Sequence, residues 1–133
     1  GTWTEWPLQT GTWVYREDDR GSIALFGPAQ SDALFTIRCD LSRRQIFVSR
    51  AGQAPAGGAA MTLRASSGMQ SYATRSTGAR APFYPAVPLS PTDFMLDRIA
   101  FSRGRFAVET AGMTSVAIPI WPEFTRVVED CRS

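Results

Sequence analysis

Carboxylates, hydroxyls, guanidinium groups and two thiols are the chemically active side chains of this 133-residue sequence. All 14 basic residues are arginine, and lysine, histidine and asparagine are absent. Without imidazole there is no general base for a serine–histidine or cysteine–histidine nucleophile. Without an amine there is no Schiff base, pyridoxal phosphate linkage or P-loop lysine. Zinc sites that depend on histidine are excluded, and two cysteines cannot build a four-thiolate site. The densest acidic run, Glu17-Asp18-Asp19, has the residue types of a calcium or carboxylate-pair site. It lacks calcium-loop spacing, however, and falls where a hairpin turn is expected, so an acidic turn accounts for it. Glu129-Asp130 stands near a helix end with Arg126 and Arg132 close in sequence, and local pairing is the expectation there. No carboxylate pair offers itself as acid and base. These residues therefore point to a protein that is not an enzyme and requires no cofactor or metal.

The guanidinium groups are a different matter, because their planar forks match carboxylate, phosphate and sulfate. Arg38 and Arg64 project from strand faces opposite the hydrophobic side, Arg43, Arg44 and Arg50 bracket one hairpin, and Arg103 and Arg105 flank Gly104. If these groups converge they form an anion-recognition surface; if not, they are the solvated outside of a β domain. Aromatic residues would add stacking area to such a surface. Trp3 and Trp6 are expected to anchor an N-terminal segment, residues 1–11, onto the body. Phe83 and Tyr84 stand between prolines; they are the better candidates for exposed aromatics, or they equally close one end of the barrel or sandwich. The candidate contact residues are thus Arg64, Arg80, Phe83, Tyr84, Arg103 and Arg105. A formal charge of +2 is too small to imply nucleic acid, and no such partner is expected; a protein or an anionic envelope component fits better.

Short alternating segments separated by turn residues must position these groups, the pattern of an antiparallel all-β domain. Trp13 and Tyr15 alternate with Val14 and Arg16; Ser22 to Phe26 reads as the returning strand. In Asp32 to Asp40, Ala33, Phe35, Ile37 and Cys39 share one face. Ile46 and Val48 share a face in the next strand, and Met61, Leu63 and Ala65 do so after a glycine-rich connection. Ser71 to Ser76 reads as an edge strand, with Arg75 discouraging further pairing. Residues 81–91 carry four prolines and read as an extended loop unable to enter a sheet interior. Ser90 is the expected cap of a short helix over Phe94 to Phe101. Phe106 and Val108, then Val116, Ile118 and Ile120, form two further strands, with Pro119 marking an edge or strand end. Pro122 opens a final helix, 122–131, in which Phe124, Val127, Val128 and Cys131 fall on one face. The result is one domain over 1–133: an antiparallel β-sandwich or barrel of about eight strands with one or two short helices, the last at the C-terminus.

Cys39 and Cys131 are either separate buried thiols, as in a reducing compartment, or a disulfide. The disulfide is favoured because the strand pattern and the helix pattern both turn the cysteines inward. It would close a loop of about 90 residues and contribute about 4.5 kcal/mol on the chain-entropy model. An oxidising compartment would follow. The sequence opens directly on a globular-looking segment, as a chain whose export signal had been removed would. It contains no apolar run of about 20 residues that would span a membrane.

The stretch Ile99-Ala100-Phe101-Ser102-Arg103-Gly104-Arg105-Phe106-Ala107-Val108, followed by Val116-Ala117-Ile118-Pro119 and a short helix ending in Cys131, resembles the exported invasion-associated locus B family of small bacterial proteins. The resemblance covers about 35 residues of the C-terminal third. It implies a secreted or periplasmic β-sandwich without catalytic residues, and it carries over no site positions. A lipoprotein freed of its acylated N-terminus fits equally. The expectation is a non-catalytic exported protein, periplasmic or envelope-associated, that works by binding. The alternative is a calycin-like barrel holding a small apolar ligand, with Pro82–Pro91 as its lid.

Overall fold

The computed structural model describes residues 2–76 and 78–133; Gly1, the first residue of the expected anchoring segment, and Thr77 lie outside the described residues. Alternation dictates the first strands. β1 (Thr12–Asp18), β2 (Gly21–Gly27), β3 (Phe35–Asp40) and β4 (Gln45–Arg50) form an antiparallel meander whose even spacing turns Trp13, Ala24, Phe26, Phe35, Ile37, Ile46 and Val48 inward. β5 (Ala60–Ala65) and β6 (Gly68–Ala73) follow, then β7 (Ala86–Leu89), the helix α1 (Phe94–Ala100), β8 (Arg105–Thr110), β9 (Val116–Pro119) and the helix α2 (Pro122–Arg132). Two sheets result, ordered β1-β2-β3-β4-β7 and β6-β5-β8-β9, and they face each other as a sandwich.

The core explains why the sheets close on each other. Trp13 lies at its centre, its ring 5.5 Å from Phe26, 6.2 Å from Phe35, 6.5 Å from Phe106 and 6.1 Å from Phe124. Its indole Nε1 donates to the Pro119 carbonyl at 2.8 Å, so the polar edge of a buried ring is satisfied at the end of β9. One aromatic cluster therefore ties both sheets and α2 together, each ring pair adding about 1 kcal/mol beyond its buried area. The inter-sheet phenylalanines line none of the principal grooves, which run along loops, helix surfaces and outer sheet faces. These buried rings occupy the space between the two sheets around Trp13.

α2 covers the part of the five-stranded sheet that the second sheet leaves open. Phe124, Val127, Val128 and Cys131 are its buried residues, the face the sequence spacing assigned. Cys131 is joined to Cys39 of β3 in a disulfide with the Cα atoms 5.5 Å apart and a sequence separation of 92.

Three local readings are corrected. The proline-rich segment 81–91 is not all loop: Ala86–Leu89 is an edge strand paired with β4. Ala86 exchanges both backbone hydrogen bonds with Arg75, away from β4, and alternation turns the nitrogen of Pro88 the same way, so its missing N–H costs no bond to β4. The segment is consequently fastened rather than free to act as a lid. Arg75 does not block pairing either; its backbone forms that bridge to Ala86 and links the edges of the two sheets, while its side chain stays exposed. The cap of α1 is Asp93 rather than Ser90: the Asp93 carboxylate accepts from Met95 N at 2.8 Å, and Ser90 belongs to the preceding turn, its carbonyl accepting from Asp93 N.

The N-terminal segment, with one 3-10 turn at Trp3–Glu5, is held against β9. Leu8 pairs with Ala117 and Gln9 N donates to the Ala117 carbonyl at 2.9 Å. Trp3 and Trp6 are themselves only half-buried, so backbone pairing rather than indole burial secures this segment.

Candidate functional site

Two separate surfaces receive five of the six residues nominated from the sequence, and the sixth, Arg64, lies on neither. Arg80, Phe83 and Tyr84 belong to the loops around the start of β5, where Phe83 and Tyr84 line a groove with Thr74 and Gly58. Arg103 and Arg105 lie at the opposite end of β5, beside its last residue Ala65 and the turn at Ser66. A six-residue strand puts about 17 Å between these ends. Arg64 is engaged in an ion pair with Glu109 on the neighbouring strand β8. The six do not form one contact surface.

Of the two roles open to the proline-flanked aromatics, full exposure is not the one taken. Phe83 and Tyr84 are half-buried, and the Tyr84 hydroxyl donates to the Ala33 carbonyl at 2.7 Å, with burial pushing its phenol above the ordinary value. The most exposed aromatics are Phe94, 79% accessible, and Phe101, 85% accessible, at the two ends of α1. Sequence reasoning missed both, although the signal was present. Met95, Leu96 and Ile99 form the inward face of the helix, and Phe94 and Phe101, an i,i+7 pair, fall off it.

Around Phe101 the local structure is well determined by serines. Ser102 Oγ donates to the Arg105 carbonyl and accepts from Ser66 N at 3.0 Å, while Ser66 Oγ accepts from Arg103 N at 2.9 Å. These bonds fasten the β5–β6 turn to the loop after α1. Gly104 takes φ +78°, the left-handed conformation that lets the chain reverse into β8 and its carbonyl accept from Ile120 N. Arg105 is directed inward, donating through Nη1 to the Trp6 carbonyl and holding the N-terminal segment. Arg103 points to solvent. Together Trp3, Phe101, Arg103 and Arg105 line an open groove of about 660 Å³. The arrangement is two aromatic surfaces beside guanidinium groups, suited to an anion attached to something apolar.

A second groove, about 990 Å³, runs between α2 and β1. Tyr15 donates its hydroxyl to the Asp130 carboxylate, and the Arg126 guanidinium sits 4.0 Å above the Tyr15 ring. Burial, reinforced by the Asp130 charge, raises the Tyr15 phenol above its usual range. Local pairing around Glu129-Asp130 is therefore not what occurs: Asp130 serves Tyr15, Arg126 stacks on it, and Arg132 reaches Asp97 of α1 at 2.8 Å. These contacts dock the helix against β1 and α1.

The acidic run at the first hairpin is the turn expected for it. Asp18 accepts from Arg20 N and Gly21 N, both at 3.1 Å, and forms a bidentate pair with Arg38 at 3.0 and 2.8 Å. The Arg38 guanidinium first, and the two backbone donors after it, lower the Asp18 pKa from 3.8 to about 2. Among the described residues no three cysteine, aspartate or glutamate side chains are grouped to hold a metal ion. No helix among them is long and apolar enough to cross a membrane.

The fold and its surfaces define a disulfide-linked, two-sheet antiparallel sandwich with an arginine–aromatic groove at one end. No family model, curated protein or solved structure matches the chain.

Proposed function

We propose that this chain is a non-catalytic exported binding protein of the cell envelope, which meets an anionic partner at the end of the molecule bearing Phe101 and Arg103. The observation that carries the proposal is the pairing of a phenylalanine left 85% accessible with an adjacent solvent-facing arginine, both on a loop that three serine-mediated hydrogen bonds hold in place. Exposing such a ring contributes nothing to folding, whereas a rigid aromatic beside a guanidinium is well suited to recognition. Export is supported by the Cys39–Cys131 disulfide, a bond that persists in oxidising compartments. The likeness of the C-terminal third to exported envelope proteins agrees with it. The absence of lysine and histidine supports a role without catalysis, since the common bases and amine nucleophiles are missing.

Thiol trapping in intact producing cells, followed by fractionation, tests the reading. Fully oxidised protein in the envelope or periplasmic fraction is expected. A reduced pool confined to the cytosol would contradict export and the function built on it.

A further inference from the structure

We infer that the anionic partner is the surface of a lipid bilayer, and that α1 and the loop after it form the face that lies on it. The inference rests on the envelope-binding reading above and specifies its partner. Phe94 and Phe101 are the two most accessible large apolar side chains. They stand seven positions apart on one side of α1, which separates their Cα atoms by about 10 Å along the helix. A line through them runs parallel to the helix axis, so both rings can enter the same plane at once. Trp3, beside Phe101 in the groove, adds an indole, the ring that favours the headgroup boundary.

The charges around this line have the sign that anionic lipid requires. Arg98 stands between the two phenylalanines in sequence, on an exposed position, with its guanidinium 3.0 Å from where a side chain on Gly68 would begin. A glycine at position 68 thus makes the room in which that cation sits. Arg103 follows Phe101. Neither Arg98 nor Arg103 forms an ion pair among the described residues. The acids of the helix are already engaged. Asp93 caps the first turn and accepts from Tyr72, and Asp97 is held by Arg132 through two hydrogen bonds. Glu5, beside Trp3, and Asp93 are the acids of this rim without an ion pair among the described residues, against three such arginines, Arg98, Arg103 and Arg105. Exposed rings flanked by unpaired cations match the two parts of a charged bilayer surface, acyl boundary and phosphate layer.

A soluble protein partner would more naturally offer a concave surface to isolated rings. A rim that projects its aromatics outward instead fits a deformable apolar layer. The contact is peripheral and reversible, since two rings and an indole bury far less than a spanning helix.

Vesicle flotation with the intact oxidised protein tests this. The protein is expected to float with vesicles of phosphatidylcholine plus phosphatidylglycerol, not with phosphatidylcholine alone, and to be released by high salt. F94A/F101A is expected to lower partitioning about tenfold or more, and R98Q and R103Q about fivefold each. Circular dichroism on each variant guards against unfolding. Free glycerol phosphate at matched phosphate concentration is expected not to compete. No flotation with either vesicle, or flotation unchanged in F94A/F101A, overturns the inference. Saturable binding of glycerol phosphate without flotation overturns it too, making the site one for a soluble anion. These failures are distinct from failure of the export reading, which thiol trapping reads independently.

Discussion

The two helices of this domain are built to opposite specifications. α2 turns Phe124, Val127, Val128 and Cys131 into the core, and is then fixed by a disulfide, the Tyr15–Asp130 hydrogen bond and the Arg132–Asp97 pair. α1 buries Met95, Leu96 and Ile99 but leaves a phenylalanine open at each end. One helix spends its whole apolar content on folding, while the other keeps its two largest rings outside. The difference separates the part of the molecule that holds the fold from the part that can be given to a partner. Marginal stability sharpens the distinction, because a domain with about 5–15 kcal/mol in hand has little reason to leave large rings unburied without use.

The contrast can be broken most severely at α2. Removing the disulfide with a Cys39→Ala/Cys131→Ala variant is expected to lower unfolding free energy by about 4.5 kcal/mol, measured by urea titration against the oxidised protein. Phe124→Ala removes a fully buried ring from the aromatic cluster and is expected to cost about 4 kcal/mol in the same titration. Tyr15→Phe keeps the ring under Arg126 and deletes only the bond to Asp130, so a loss of about 1 kcal/mol is expected. A smaller effect is expected at the first hairpin. Because the Asp18 pKa is lowered from 3.8 to about 2 in the folded chain, its contribution is complete above the unfolded value and fades as pH falls between them. Comparing Asp18→Asn with the parent by thermal unfolding should show a difference near neutrality that shrinks through the acid range and vanishes only below about pH 2. The smallest effect belongs to α1: Phe94→Ala and Phe101→Ala should each change stability by no more than about 0.5 kcal/mol.

The depth at which the sequence could be read also differs between these regions. Wherever burial alone decides, alternation and helical spacing were sufficient: the inward faces of β3 to β5, the buried stripe of α2 and the facing cysteines all follow from residue type and period. The strand at Ala86–Leu89 was hidden because prolines suggest a loop, and only the direction of the Pro88 nitrogen at a sheet edge makes pairing possible. Arg75 and Ser90 were misread for a related reason. Side-chain type governs neither the backbone bridge at Arg75 nor the cap of α1; the local chain path decides both. The candidate site was half legible. Arg103 and Arg105 were found from their position around Gly104, but convergence of Arg80, Phe83 and Tyr84 with them depends on which end of β5 each loop reaches, and no local pattern encodes that. Phe94 and Phe101 could have been found by extending the helical wheel that located Met95, Leu96 and Ile99.

The division of labour between the helices is tested most directly by measuring two quantities on one variant, F94A/F101A: unfolding free energy in urea and partitioning onto vesicles containing phosphatidylglycerol. Stability within about 1 kcal/mol of the parent, together with a loss of vesicle binding of about tenfold or more, is expected. A stability loss of several kcal/mol, or partitioning equal to that of the parent, would contradict that division.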